Sequence, residues 1–214
     1  MATEQKYSTD FLNKHKEELE TAFRIYNEDI VPFIVQFEVS KNQFPVEVQN
    51  EIRAIYGHLV RASMATTDTV AKQNIDKMHS HTKRALLDCY KYNCIVMTDK
   101  YAEFFERYQG VDLSYLQEGK FLPTIHKAYQ EAKDKLLEAK KAESQNTKME
   151  ELFSMYQDAY CAFASLIADM ESCEEKADFL KHKATRKDHI ANISFAVGVV
   201  GLIVGIAGLL VTLL

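Results

Sequence analysis

At 214 residues and a formal net charge of −5, the chain has room for about one domain and is too acidic overall to favour an extended nucleic-acid groove. Three prolines, seven glycines and the lack of any strongly alternating β pattern exclude a turn-rich β fold and predict an all-α protein. The charge is uneven: 22 basic and 30 acidic residues precede Lys181, a net of −8, whereas Lys181, Lys183, Arg186 and Lys187 are followed only by Asp188.

The first ten residues, MATEQKYSTD, are polar, so no secretory signal is expected. The first helix is predicted from the Ser8-Thr9-Asp10 cap to about Val39, with Leu19, Phe23, Ile30, Phe33 and Phe37 on its apolar face. Pro32 should kink it or split it near Ile30, because proline removes a hydrogen bond and crowds the preceding turn. Lys41-Asn42-Gln43 reads as a loop, and Pro45 suits the first turn of a second helix carrying Val48, Ile52, Ile55, Leu59 and Ala62 to about Ser63.

Thr66-Thr67-Asp68 is the next cap signal. A very long helix should run from it to about Tyr108 and stop at Gly110, with Ala71, Ile75, Met78, Thr82, Ala85, Cys89, Tyr92 and Val96 along one seam. About forty residues at ~1.5 Å each give on the order of 60 Å, a length that points to an elongated bundle or coiled coil. A short helical turn is expected over 112–119. Pro123 should open a further helix through Ile125, Tyr129, Ala132, Leu136 and Ala139, with Lys133, Lys135, Lys140 and Lys141 on a solvated face.

Thr147 and Glu150 form a T-x-x-E capping box for the last helix. Its seam is Leu152, Tyr156, Ala159, Phe163, Leu166, Met170, Cys173, Ala177, Leu180 and Ala184. The same alternation of three and four continues through Lys187, Ala191, Ser194, Gly198, Gly201, Gly205, Gly208 and Thr212. From Ile193 the chain is apolar apart from Ser194, Thr212 and four glycines. Roughly 22 residues make ~33 Å of helix, enough to cross a ~30 Å hydrocarbon core. The sequence therefore predicts one helix of roughly 65 residues, ~100 Å, shared by bundle and membrane, the alternative being a hinge at the basic collar with an accidental match in phase. Residues 1–146 are expected to form a cytoplasmic helical bundle, 147–189 a juxtamembrane helix and 190–214 a single transmembrane span. Glycines on one seam let backbones approach closely in lipid, so Ala191, Ser194, Gly198, Gly201, Gly205, Gly208 and Thr212 are read as a pore-lining or helix-packing face between copies of the chain. The basic collar Lys181, Lys183, Arg186 and Lys187 places the N-terminal part in the cytoplasm, against an anionic inner (plasma) membrane.

No Gly-rich phosphate loop, nucleophile elbow or metal-ligand spacing is present, so neither catalytic residues, a metal nor another cofactor is expected. His79 and His81 are two apart and face different sides of a helix. Cys89, Cys94, Cys161 and Cys173 form no CxxC pair and read as buried or semi-buried reduced thiols. Asp169, Glu171, Glu174, Glu175 and Asp178 are locally dense. They read as a solvated face or, if several copies surround an axis, as an acidic vestibule that concentrates cations. Tyr90, Tyr92, Tyr101, Phe104, Phe105 and Tyr108 could stack a base beside Lys91 or Arg107, although packing in a helical core is the commoner use of such rings.

A single span cannot conduct, but several copies joined by a small-residue face could enclose a pore gated by hydrophobic constriction or by the bundle. This layout resembles the membrane effectors of bacterial anti-phage systems and is most similar to channel effectors of the Hailong type. The resemblance covers the arrangement of the whole chain and carries no individual residue across. It implies a homo-oligomeric channel that depolarises the infected cell under control of a nucleotide or oligonucleotide signal made by a partner nucleotidyltransferase. The alternative is a tail-anchored scaffold or adaptor, which explains the bundle and the missing chemistry without needing the glycine seam. A pore-forming toxin inserting from solution is weaker, because the tail would need hiding.

Overall fold

In the computed structural model, which describes residues 13–145 and 147–186, the chain is all-helical with no strand among the described residues. The order is α1 (Lys16–Ile25), a π-helical turn (Tyr26–Ile30), α2 (Val31–Lys41), α3 (Val46–Ser63), α4 (Asp68–Arg107), a 3₁₀ segment (Leu113–Gly119), α5 (Phe121–Ser144), α6 (Met149–Glu171) and α7 (174–186). Two compact units divide these elements. The first holds the described residues up to Tyr101 together with Lys127–Ile167, and the second holds Ala102–His126 and those from Ala168 onward.

The first unit is built around α4. Thr67 caps this helix: its Oγ1 accepts from the Val70 amide at 3.3 Å, and its carbonyl accepts from the Ala71 amide at 3.1 Å. Ala71, Ile75, Met78, Thr82, Ala85, Cys89 and Val96 of the expected seam are buried, and Tyr92 is partly buried. The Thr82 hydroxyl turns back to the Met78 carbonyl, and buried Asn93 donates Nδ2 to the Cys89 carbonyl, which lets polar side chains sit in this core. The early turns of α4, at Ile75 and Met78, pack with Leu19 and Ala22 of α1 and Ala62 of α3. Its middle, from Ala85 to Tyr90, packs with Ile30, Val48, Ala139 and Tyr156.

Pro32 leaves the chain helical and displaces its effect upstream. The Val31 amide donates to the Tyr26 carbonyl, a five-residue closure that widens the turn where the proline ring would crowd the carbonyl four residues earlier. That extra residue resets the phase. The inward positions run Leu19, Ala22 and Ile25, then step by five to Ile30 and on to Phe33, while Phe23, assigned to this face by an unbroken 3.6 period, is 43% exposed. Asn42 ends α2 in the left-handed region at φ 50° with its amide on the Glu38 carbonyl, as the loop signal required.

In the second unit, Gly110 (φ 79°) follows the end of α4, a conformation that a side chain would strain. The 3₁₀ segment opens on Asp112, whose Oδ1 accepts from the Ser114 amide at 3.0 Å and hydroxyl at 2.6 Å. It closes with Gln117, Glu118 and Gly119 all at positive φ, so only its beginning is the helical turn expected. Among the described residues of this unit, Phe104, Tyr108, Leu113, Leu116, Phe121, Ile125, Met170, Cys173 and Ala177 are buried.

The single unbroken helix expected from Thr147 onward does not form. Helix α6 opens with the Glu151 and Leu152 amides on the Lys148 carbonyl, at 3.1 and 3.0 Å, and stops at Glu171. The Cys173 amide reaches only three residues back, to the Met170 carbonyl at 3.0 Å, while the Ser172 hydroxyl takes the Asp169 carbonyl at 2.7 Å. Serine thus competes locally for a carbonyl of the helical ladder. The turn nonetheless advances the chain by a three-residue step, so Met170, Cys173 and Ala177 all remain buried. Among the described residues no helix is long and apolar enough to cross a membrane, and the expected span over 190–214 lies outside them.

Replacing Ile75, which is fully buried, by alanine should cost about 2–5 kcal/mol of stability through lost transfer energy and the cavity left behind. Val39→Ala, at a side chain 82% exposed, should change stability by less than about 0.5 kcal/mol. Denaturant unfolding of the full chain in detergent, followed by circular dichroism, reads both values. Equal losses at the two positions would contradict the burial pattern.

Candidate functional site: two polar nodes and a basic helix end

The chemistry-bearing side chains gather at two nodes, one in each unit, both built on cations of α4. In the first unit Lys91 places Nζ 2.6 Å from Glu143 Oε1 and 3.3 Å from Asp88 Oδ1, and 5.1 Å from the centre of the Tyr156 ring. The Tyr156 hydroxyl donates to Glu143 Oε2 at 2.5 Å. Burial would raise the Glu143 carboxyl, but the hydrogen bonds from Lys91 and Tyr156 outweigh it and hold the group below its ordinary value. Asp88 is pushed up by burial against the pull of Lys91, and the Tyr156 phenol is pushed up by burial and by its bond to Glu143. One cation thereby satisfies two carboxylates and orients a phenol, an arrangement suited to holding α4, α5 and α6 in register.

In the second unit Arg107 lies 3.1 Å from Asp178 Oδ2 and 3.6 Å from Glu174 Oε1, and the buried Tyr108 hydroxyl donates to Asp178 Oδ1 at 2.8 Å. Burial first, then this hydrogen bond, raises the Tyr108 phenol to about 12. Lys181 stands 5.9 Å from the centre of the Tyr108 ring, within cation–π reach. As exposed ion pairs the Arg107 contacts each contribute about 0–1 kcal/mol, so the buried phenol is what fixes α7 to the end of α4.

Of the five carboxylates read as a vestibule, Glu174 and Asp178 are therefore turned toward Arg107 and Tyr108, while Asp169, Glu171 and Glu175 are exposed. Lys181, Lys183 and Arg186 of the basic collar are exposed on α7, and Lys187 lies outside the described residues. The seam Ala191, Ser194, Gly198, Gly201, Gly205, Gly208 and Thr212 also lies outside them. Lys133, Lys135, Lys140 and Lys141 are exposed, as a solvated face requires. The aromatic run belongs to the helical interior: Tyr90, Phe104 and Tyr108 are buried, and Tyr90 packs against Phe33, Phe153 and Tyr160. Tyr101 stacks on Tyr129 with ring centres 3.8 Å apart, and Phe105 stacks on His126.

Three features escaped the sequence reading. His81 gives Nδ1 to Glu51 Oε2 at 2.6 Å and stacks on His58, a partner 23 positions away in the chain and on another helix. Lys91 and Arg107 pair with carboxylates more than 50 positions away, a relation that no local period encodes. Cys161 is exposed while Cys89, Cys94 and Cys173 are buried, and burial raises the Cys89 and Cys94 thiols to about 12, which keeps them unreactive. Among the described residues no group of three or more His, Cys, Asp or Glu side chains is placed to hold a metal ion. Comparison with known proteins finds no family model, curated protein or solved structure that matches the chain.

Burial raises the Tyr90, Tyr92 and Tyr108 phenols to about 12, with the bond to Glu47 adding to the shift at Tyr92. An unfolded tyrosine ionises near ~10. Between pH ~10 and ~12 the folded chain retains protons that the unfolded chain has released, so this stabilisation is intact below ~10 and is lost as pH rises through that window. Absorbance titration of the tyrosines should show a normal step and a delayed one coinciding with alkaline unfolding, and Tyr108→Phe should shrink the delayed step. A single normal step for all eleven tyrosines would contradict the burial of these phenols.

Proposed function

We propose that this protein is an oligomeric membrane effector, an ion channel or membrane-depolarising pore that is controlled by its cytoplasmic helical region and assembles with copies of itself in lipid. The observation that carries this reading is the seven-residue seam Ala191, Ser194, Gly198, Gly201, Gly205, Gly208 and Thr212 in an uncharged apolar stretch preceded by a basic collar. The second polar node supports control in addition to attachment. The helix that leads toward this stretch is tied at Asp178 to Arg107 and Tyr108 at the end of α4, so a ligand that changes α4 packing has a route to it. In the anti-phage setting that the layout resembles, the regulator is a nucleotide signal from a partner nucleotidyltransferase and the outcome is depolarisation of the infected cell.

The second reading, a tail-anchored scaffold, is favoured by one surface. Val35 and Val39 lie one turn apart on α2 and are exposed, as are Phe44 and Val46 just beyond it.

Expression of the full chain in bacteria, with membrane potential followed during phage infection and oligomer size measured in detergent, separates the two. The wild type should assemble and depolarise the cell, and Gly201→Leu with Gly205→Leu should lose both properties. Arg107→Ala should keep the assembly and shift the trigger threshold. A monomeric wild type that leaves the potential untouched rules out a channel. In that case Val35→Asp with Val39→Asp should abolish partner binding by the scaffold.

A further inference from the structure

Helix α7 presents two unlike faces. On one, Cys173 just before its start and Ala177 are buried and Asp178 is held by Tyr108 and Arg107, so that side is fixed within the second unit. On the other, Phe179, Lys183 and Arg186 follow at intervals of four and three, which places them on one stripe of an α-helix. Phe179 is 67% exposed and both cations are exposed. Beside the stripe, Tyr115 of the 3₁₀ segment, 74% exposed, and Lys183 line a concavity of about 430 Å³ together with Val111, Leu180 and Ala184. Asp112 lines it as well and turns its carboxylate to Ser114. Beyond Glu175 the stripe carries no carboxylate through Arg186, in a chain whose net charge is −5.

We propose that this face, made by Tyr115, Phe179, Lys183 and Arg186, lies against the headgroup layer of an anionic bilayer, with α7 running along the membrane surface and not along its normal. Aromatic rings are favoured at headgroup level, and lysine and arginine extend their stems over apolar surface while their charges reach lipid phosphates. Orientation follows from depth. The headgroup region adds only about 5–8 Å on each side of the hydrocarbon core. A helix standing on the normal would put Phe179 on the order of 16 Å from Ile190, outside that layer and in water. Lying flat, the helix brings Phe179, Lys183 and Arg186 to one depth and sets Tyr115 beside them. The proposal rests on the reading that residues 190–214 cross the membrane and adds how the preceding helix meets its surface.

The chain contains no tryptophan, so a single introduced indole reports its own surroundings. Full-length Tyr115→Trp and Phe179→Trp, with Tyr56→Trp as an exposed reference in the first unit, are reconstituted into phosphatidylcholine–phosphatidylglycerol vesicles containing brominated phosphatidylcholine. Indoles at 115 and 179 should be quenched several-fold more than the one at 56, and the quenching should weaken when phosphatidylglycerol is omitted or when Lys183→Glu and Arg186→Glu are added. Quenching at 115 and 179 no greater than at 56, in protein that still floats with the vesicles, overturns the proposal and leaves the membrane span standing. Quenching indifferent to both phosphatidylglycerol and the charge reversals overturns the anionic-lipid assignment. Protein that does not float overturns the span itself.

Discussion

Between Ala85 and Met97, α4 buries Ala85, Leu86, Leu87, Cys89, Tyr90, Asn93, Cys94, Val96 and Met97, an arc of about half the helix circumference, with Asp88, Lys91, Tyr92 and the exposed Ile95 on the opposite side. A helix apolar on one narrow stripe needs one neighbour, whereas a buried arc this wide needs several. Most of the first unit follows from that requirement. Helices α1 and α3 close over the early turns, and Phe33, Leu136, Tyr156 and Phe153 from α2, α5 and α6 close over the middle. Ala85 and Ala139 share this cluster with the large rings of Tyr90, Tyr156 and Tyr160, small and large side chains packed together.

Packing that depends on so many neighbours needs polar groups to set its register, and α4 carries them at its edges. Lys91 meets Glu143 and Asp88, Tyr92 donates to Glu47, Lys41 pairs with Asp99, and His81 meets Glu51. Apart from Asp88, which lies on α4 itself, these partners come from α2, α3 and α5, and their value lies more in fixing which helix sits where than in net stability, since partly exposed pairs contribute little. Arg107 and Tyr108 repeat the device in the second unit, where their partner is the helix that leads toward the apolar C-terminal stretch. The channel reading proposed above takes this tie as its route for control.

The break at Ser172–Cys173 alters what that route can be. A rigid rod carried from bundle to membrane would transmit rotation and translation directly. With a tight turn between α6 and α7, the second helix can take its own direction while the inward phase of Met170, Cys173 and Ala177 is preserved. The surface orientation proposed above uses that freedom, with the exposed Phe179, Lys183 and Arg186 of α7 turned toward the bilayer.

Sequence periodicity was sufficient for the all-helical class, the cap at Thr67, the stop at Gly110, the seam of α4 and the solvated lysines of α5, because each is set by neighbours within about one helical turn. It was insufficient where one residue's hydrogen bond changes the local count. The π-helical turn ahead of Pro32 moved Phe23 off the buried face, and the Ser172 hydroxyl divided a seam whose phase otherwise continues unbroken. The left-handed Gln117 and Glu118 likewise carry no compositional mark except the glycine after them. The sites were still less legible: pairing Lys91 with Glu143, His81 with His58 and Arg107 with Asp178 joins residues 52, 23 and 71 positions apart, and such encounters exist only once the helices are assembled around α4. Local spacing alone determined the helices and their inward faces; tertiary structure decided which charges meet, because those distances are set by packing between helices and not by the period within one.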